Sequence, residues 1–478
     1  MPLQASRDRA EGTGRYVRYR IQSAAAADLT PPPPRFRVTV RKLPLARLLA
    51  RELIAYRGNL GVVLSRPCVY GVFSGPLGGF APREGRCVGC LRCTVQYPDI
   101  VRIEPNPERD GTGNPFLGPD DVDALLYEAR TGHVPVRGAG YRGRFGGEGW
   151  DGIWTDMSEI VRPTRDGIHG RETIATDVDI GQFPQFLRFD AAGEPRGPLP
   201  RFFTIQVPFF FDLLPRSVES PALYRVLADA ARRLDTLALV PAALTADPAL
   251  QHPHVVPVVP AAASSRSQQR PAEVAWHPRM LLLDGWDRER FAELGRRFPG
   301  SLVSVRAPAD SDILTLVRGG ARLLHLEADY QGHAGGGFAG DSILRAHRLL
   351  VEQGLREEVT LLGAGGIARA EHLAKAILCG LDAGGVDLAA VVALGARLQG
   401  TCRDRESSRL VLPRFDPAWG RQRLVNLAAS WRDQLLEVLG AMGLREVRRL
   451  RGETGRALFQ ADLEREAFAG VPGYAPRA

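Results

Sequence analysis

A chain of 478 residues, 44% hydrophobic and 24% charged, has room for two or three domains and a large buried core. No apolar run reaches the ~18 residues that a membrane span needs, and the first residues lack an apolar signal segment, so the expected setting is cytoplasmic. The net charge of +8 comes from 62 basic residues against 54 acidic ones, and the arginines are scattered rather than striped with aromatics, which argues against a nucleic-acid partner.

Residues 1–35 are rich in Ala, Arg and Asp and end in Pro31-Pro32-Pro33-Pro34. They read as a disordered arm closing in a polyproline spacer. A short strand is expected at Phe36–Val40 and a helix over 44–57, where Leu45, Leu48, Leu49, Leu53 and Ile54 recur at helical spacing. Residues 58–118 are rich in glycine and proline and carry Cys87-Val88-Gly89-Cys90-Leu91-Arg92-Cys93. A C-x2-C-x2-C spacing wraps one corner of an iron–sulfur cluster. The fourth cysteine of the bacterial ferredoxin run is Tyr97 here, although its proline, Pro98, is present. Cys68 is the nearby thiol that could complete the set, giving a 4Fe–4S or 3Fe–4S cluster; a four-cysteine zinc site and an empty remnant are the alternatives. Three of the six cysteines within seven positions argue for metal ligation in a reducing compartment rather than for disulfides. The segment 36–130 is therefore expected to be a ferredoxin-like iron–sulfur unit, with short strands at Val69–Phe73 and Ile100–Glu104 and a helix at Asp120–Ala129.

The glycines between 131 and 151 suggest a loop, and Arg162–Glu172, with three arginines and His169, is either a grip for an anionic substrate or a solvated turn. Residues 131–200 form a lead-in. From 201 to 400 the pattern becomes βα repeats. The strand-like run Phe202–Val207 leads to a helix at Pro221–Leu234 and an apolar stretch at Leu237–Val240. A low-complexity insert at 241–272 reads as a linker. Strands then fall at Met280–Leu283, Leu302–Val305, Leu323–Leu326, Val359–Leu362 and Val386–Ala390, with helices between them. Units of this length imply a parallel sheet, and their number favours a partly degenerate (β/α)8 barrel over an open sheet. Residues 401–478 form a helical extension.

In such a barrel the chemistry sits at the C-terminal ends of the strands. Two glycine turns fall there: Gly332-His333-Ala334-Gly335-Gly336, where a flat ligand could approach backbone and His333 could donate a hydrogen bond, and Gly363-Ala364-Gly365-Gly366-Ile367, where backbone N–H groups could hold a phosphate. Each could equally be an ordinary surface turn.

These passages resemble the glutamate synthase family, in its compact synthase-domain members. Gly332–Gly336 is similar to the family's G-H-D-G-G loop and Gly363–Ile367 to its phosphate loop. Asp156–Pro163 and Thr176–Gly181 are similar to its lead-in. The resemblance implies FMN in the barrel, held by Gly332, Gly335, Gly336, Gly363, Gly365, Gly366 and Ile367. It implies a reaction in which reduced flavin delivers hydride to 2-iminoglutarate, formed from 2-oxoglutarate and ammonia. Electrons would enter through the cluster at Cys87, Cys90, Cys93 and Cys68, and an amidotransferase or electron-donor subunit could be a partner. His333 and Arg306 are the expected catalytic residues; Arg306 stands nearest to where the family has a lysine. Ala334 replaces the family's loop acid, Phe209-Phe210-Phe211 replaces a small-residue flavin contact, and no N-terminal nucleophilic cysteine follows Met1, so glutamine hydrolysis is not expected. The alternative implied by those departures is a degenerate barrel acting as an iron–sulfur electron-transfer or scaffold subunit.

Overall fold

From Phe209 onward, short apolar segments alternate with amphipathic ones, and in the computed structural model that alternation closes into a barrel. The structure describes residues 19–63, 68–135, 147–155, 173–182, 189–196, 201–261, 274, 276–468 and 470–472. The chain divides into two compact units, 30–123 with 135–144, and 1–29 with 124–134 and 145–478.

The smaller unit is organised by strand β1 (Phe36–Val40) and its neighbours in chain order, helices α1 (Lys42–Ala55), α2 (Leu60–Val63) and α3 (Arg92–Gln96) and strand β2 (Val101–Pro105). β1 and β2 pair antiparallel, Phe36 opposite Pro105 and Val40 opposite Val101. Their inner faces give a small core of Val38, Val72, Cys87 and Val101, against which Cys68 and Cys93 pack. Three thiols thus belong to the apolar centre of a unit that has little else to bury. Val69–Phe73, expected as a strand, forms turns instead: Gly71 N–H donates to the Cys68 carbonyl at 2.7 Å and Gly71 has a φ of +75°, which folds this stretch back on itself.

Helix α4 (Pro119–Thr131) belongs to the larger unit from Ala124 onward. There β3 (Ile153–Thr155) pairs with Ala457–Phe459, and β4 (Val178–Gly181) pairs antiparallel with β5 (Phe202–Ile205). Phe202 is therefore outside the barrel, which begins at β6 (Phe209–Phe211) and continues through β7 (Ala238–Pro241), β8 (Val255–Pro260), β9 (Met280–Asp284), β10 (Leu302–Pro308) and β11 (Leu323–Glu327). A hairpin of β12 (His333–Ala334) and β13 (Gly337–Phe338) follows. β14 (Thr360–Ala364) and β15 (Ala383–Val386) close the ring, and every barrel pairing is parallel. Helices α5 (Pro221–Leu234), α6 (Arg288–Arg297), α7 (Ile313–Arg318), α8 (Ala339–Glu352), α9 (Ala370–Leu378) and α10 (Leu388–Ala393) follow their strands. Between β7 and β8 stand two 3₁₀ turns and no α-helix, so the barrel is degenerate at that point.

Three expectations change. The supposed linker 241–272 contains β8; Val255-Val256-Pro257-Val258-Val259 is a buried strand in which Pro257 sits opposite Val240 at the loss of one ladder donor. Residues 262–273 lie outside the described residues. The last strand ends at Val386 rather than beginning there. A Cβ at its Gly385 would lie 2.7 Å from Asp212 Oδ2 and 2.8 Å from Ala364 Cβ, so the strand needs glycine for space. Part of the expected arm is bound chain. Asn426 on α11 (Pro417–Ala441) clamps Ala24 from both sides, and fully buried Arg423 donates to the Ala26 carbonyl and pairs with Asp28 at 2.8 Å. Residues 1–18 lie outside the described residues, as do Arg162–Glu172, Asp156–Pro163 and the glycines at 138–146.

Strand alternation sorts the aromatic run. Phe210 turns inward, its ring 5.7 Å from that of His325, while Phe209 meets Trp431 of α11 at 6.2 Å. No helix among the described residues is long and apolar enough to cross a membrane.

Candidate active site

Polar residues enter this barrel at the C-terminal strand ends. Arg306 of β10 and His325 of β11 are paired in register, and Glu327 lies two residues beyond, on the same face. The Arg306 guanidinium donates to Glu327 at 2.7 Å, and His325 Nε2 lies 2.9 Å from Asp212 Oδ2. His325 is fully buried and Arg306 nearly so. Arg306 Nε and His325 Nδ1 are buried with no protein partner, which is costly unless something else accepts from them.

These groups border a cavity of about 270 Å³ at the barrel mouth, lined by Asp212, Leu213, Arg306, Pro308, Asp310, Glu327, Ala328, Asp329, Tyr330, His333, Ala334, Gly335, Ala364, Asp387, Asp404 and Arg405. Both expected catalytic residues are in its wall. So are Gly335 and Ala364, one from each glycine turn. His333 is held by a turn that Asp329 organises: Asp329 Oδ1 accepts from the backbone N–H of Gln331 and His333, and its other oxygen pairs with Arg403. The imidazole Nδ1 stands 3.5 Å from Asp329.

The remaining candidate glycines do not line it: Gly332, Gly363, Gly365 and Gly366 are buried and Gly336 is exposed. A Cβ at Gly366 would lie 2.9 Å from Gly332 Cα, so the two turns touch backbone to backbone. Gly363 and Ile367 are buried. The second turn is gripped from outside: Trp150 Nε1 donates to the Gly365 carbonyl at 3.1 Å, and His372 bridges the Gly366 carbonyl (3.0 Å) and Asp151 (2.9 Å). Asp151, Glu371 and His372 place their ligand atoms within 4.8 Å of one another, the one such trio among the described residues. Arg369 already pairs with Asp151 at 2.8 Å, so the trio is an ion-paired clamp on the turn.

Sequence reasoning missed Asp212, His325, Glu327, Tyr330 and Asp387. Their signal was positional: each is a polar residue within an apolar barrel strand or shortly past its C-terminal end, where a parallel barrel opens. Burial raises Asp212, but His325 and Arg306 outweigh it and hold its carboxyl down to about 2. Burial, reinforced by Asp212, pushes Asp387 up to about 8. Burial also raises Glu327 despite Arg306.

In the smaller unit, Cys68, Cys87, Cys90 and Cys93 line one small pocket with Tyr70, Val72, Phe73, Val88, Gly89 and Ile103. Burial raises the Cys87 and Cys93 thiols, and their neighbouring thiols raise them further. The Gly89 N–H is turned onto the Cys87 sulfur. Four thiols around one pocket are a donor set that suits a zinc ion or an iron–sulfur cluster. Gly89 has a φ of +70°, and a Cβ there would sit 2.4 Å from Phe36 Cζ. Gly89→Ala is expected to displace the cysteine loop, and metal bound per chain should fall at least several-fold, measured by metal analysis of anaerobic protein; metal content equal to wild type would show the loop to be insensitive to this contact.

A family model described as the conserved region in glutamate synthase matches residues 331–445, which include the first glycine turn, the second turn and α11. The archaeal-type glutamate synthase (NADPH) of Dehalococcoides mccartyi is 23% identical over 441 residues, 77% of this chain and 86% of that protein. The archaeal glutamate synthase (NADPH) of Methanocaldococcus jannaschii is 34% identical over 146 residues, 26% of this chain and 28% of that one. Among solved structures, a flavocytochrome b2 double mutant with pyruvate bound aligns at a TM-score of 0.37 and 13% identity, over 69% of this chain and 82% of that one. A mandelate oxidase variant aligns at 0.36 and 14%, over 62% and 97%. Residues 331–445 thus match the conserved region in glutamate synthase, and over most of its length the chain is similar to an archaeal-type glutamate synthase.

Proposed function

We propose that the chain is a glutamate synthase-like oxidoreductase that binds FMN at the barrel mouth and reduces a 2-imino acid. The observation that carries this is the meeting of both glycine turns with Arg306 at one cavity. The residues suit a flavin. Arg306 Nε is a buried donor awaiting an acceptor such as a ring nitrogen or carbonyl. Gly335 and Ala364 keep two walls free of bulk, and the clamped turn Gly363–Ile367 would lie toward the phosphate. When bound, FMN supplies hydride transfer.

The chain's own side chains then do the rest. Arg306 sets a fixed positive charge at the cavity floor, balanced by Glu327 and Asp212. His333, at the rim, can donate to a substrate oxygen. Tyr330, whose hydroxyl donates to the Leu213 carbonyl at 3.1 Å, ties the first turn to the end of β6. In the smaller unit, the four thiols would hold an iron–sulfur cluster through which electrons enter. 2-Iminoglutarate, from 2-oxoglutarate and ammonia, is the expected substrate, with ammonia drawn from solution or a partner subunit.

The cavity wall favours a second reading of the substrate. It carries six carboxylates, Asp212, Asp310, Glu327, Asp329, Asp387 and Asp404, against Arg306, Arg405 and His333. Both arginines are already paired, Arg306 with Glu327 and Arg405 with Glu219. That balance suits an amine or a less acidic 2-oxo acid better than a dicarboxylate. Anaerobic protein with a chemical reductant, ammonia and 2-oxoglutarate should form glutamate, read by mass spectrometry. Flavin-loaded protein that yields none, but oxidises amines or reduces other imines, would replace the substrate and leave the oxidoreductase.

A further inference from the structure

Two carboxylates stand side by side on the floor of the barrel cavity. Strands β6 and β15 are paired in parallel with Phe211 opposite Val386. The next residue on each strand is an aspartate, Asp212 and Asp387, so both project from adjacent strand ends into the same layer. The Asp212 N–H donates to the Val386 carbonyl at 3.0 Å, which fixes the two ends together. Both residues are almost wholly buried, and both line the cavity. Their environments differ. Asp212 has its charge answered by His325 at 2.9 Å and by the nearby Arg306, and its Oδ1 accepts from Leu213 N–H at 2.6 Å. Asp387 accepts from Leu388 N–H at the start of α10 and, among the described residues, has no ion pair.

We propose that Asp387 is the proton donor of this cavity, with Asp212 kept charged beside it by His325. The proposal rests on the oxidoreductase reading and deepens it. As hydride from reduced flavin bonds to the imine carbon, the C=N π pair moves onto nitrogen. The nitrogen takes the Asp387 proton and the amine forms. Asp387 is left as a carboxylate and regains a proton from water through the open mouth. Two electrons and one hydrogen come with the hydride, and the second hydrogen is the carboxyl proton.

The charged and titratable groups around Asp387 come from several elements: Asp212 after β6, Arg306 on β10, His325 on β11 and Tyr330 after it. Burial and the Asp212 charge hold the Asp387 carboxyl up to about 8, while Asp212 is held near 2. Pairs of acids whose environments push them apart in this way divide into proton donor and fixed charge.

The test is difference infrared spectroscopy of the protein as purified, across pH from about 6 to about 10, with flavin content measured on each sample. A protonated-carboxyl C=O band that disappears with a midpoint near 8 is expected in wild type. The band should be absent from Asp387→Asn, which keeps the cap on Leu388, and should titrate at lower pH in Asp212→Asn, where the neighbouring charge is gone. Asp387→Asn should also lower kcat on the order of 100-fold with little change in KM. Wild-type activity should fall as pH rises through the same midpoint, because only the protonated form donates. A band untouched by Asp387→Asn, or none at neutral pH in flavin-loaded protein, overturns this proposal and leaves the oxidoreductase reading standing. Protein without flavin overturns both.

Discussion

Arg306→Met is expected to destabilise the larger unit by about 2–3 kcal/mol, and to abolish flavin retention. The size follows from burial. Arg306 is 7% exposed and answers two acids, Glu327 at 2.7 Å and the fully buried Asp212. Methionine fills a similar volume but carries no charge, so both carboxylates lose the partner that holds them ionised. Removing one member of a buried set is expensive because the remaining charge is left unanswered. Asp212 has a retreat, since His325 remains at 2.9 Å, whereas Glu327 has none of equal quality among the described residues. The loss should therefore be largest at neutral pH and shrink as Glu327 is protonated in acid. Urea unfolding at two pH values, with flavin absorbance followed through gel filtration, checks both halves. A variant within about 1 kcal/mol of wild type would mean that the network is solvated.

Gly366→Ala should weaken flavin retention at least tenfold, while Gly336→Ala should have a much smaller effect. Both glycines have positive φ, +70° and +80°, so both substitutions carry the same backbone strain of about 1–2 kcal/mol. They differ in what the new methyl group meets. At Gly366 it would lie 2.9 Å from backbone atoms of Gly332, and at Gly336 nothing lies within 4 Å. Backbone cannot rotate away as a side-chain tip can, so Gly366→Ala must separate the two turns at their buried contact, and with it shift Gly335 and Ala364 of the cavity wall. The ratio of flavin dissociation constants, from fluorescence titration, isolates that contact from the shared strain. Equal effects would show that the turns do not act as one structure.

Legibility in the sequence followed the kind of force involved. The barrel was readable because strand and helix periods are local, and Pro221–Leu234 and Met280–Leu283 fall where the pattern puts them. The glycine turns and the cysteine spacing were readable for the same reason, being short motifs with fixed geometry. β8 was hidden by Pro257, and β15 by Gly384 and Gly385, residues whose local meaning is overridden by the space their neighbours leave. Residues 19–29 looked unstructured because their partners, Asn426 and Arg423, lie about 400 positions away. The acid floor went unread for a related reason. Asp212 and Asp387 are single letters 175 positions apart, and only the pairing of β6 with β15 makes them neighbours.

Flavin, iron and acid-labile sulfide should be counted on one anaerobically purified sample, beside a Cys90→Ser control. About one FMN per chain with about three to four irons and matching sulfide in wild type, and iron lost but flavin kept in the control, is the result expected of a barrel and a thiol pocket that hold separate redox groups. Wild-type protein with zinc in place of iron and no flavin would contradict it.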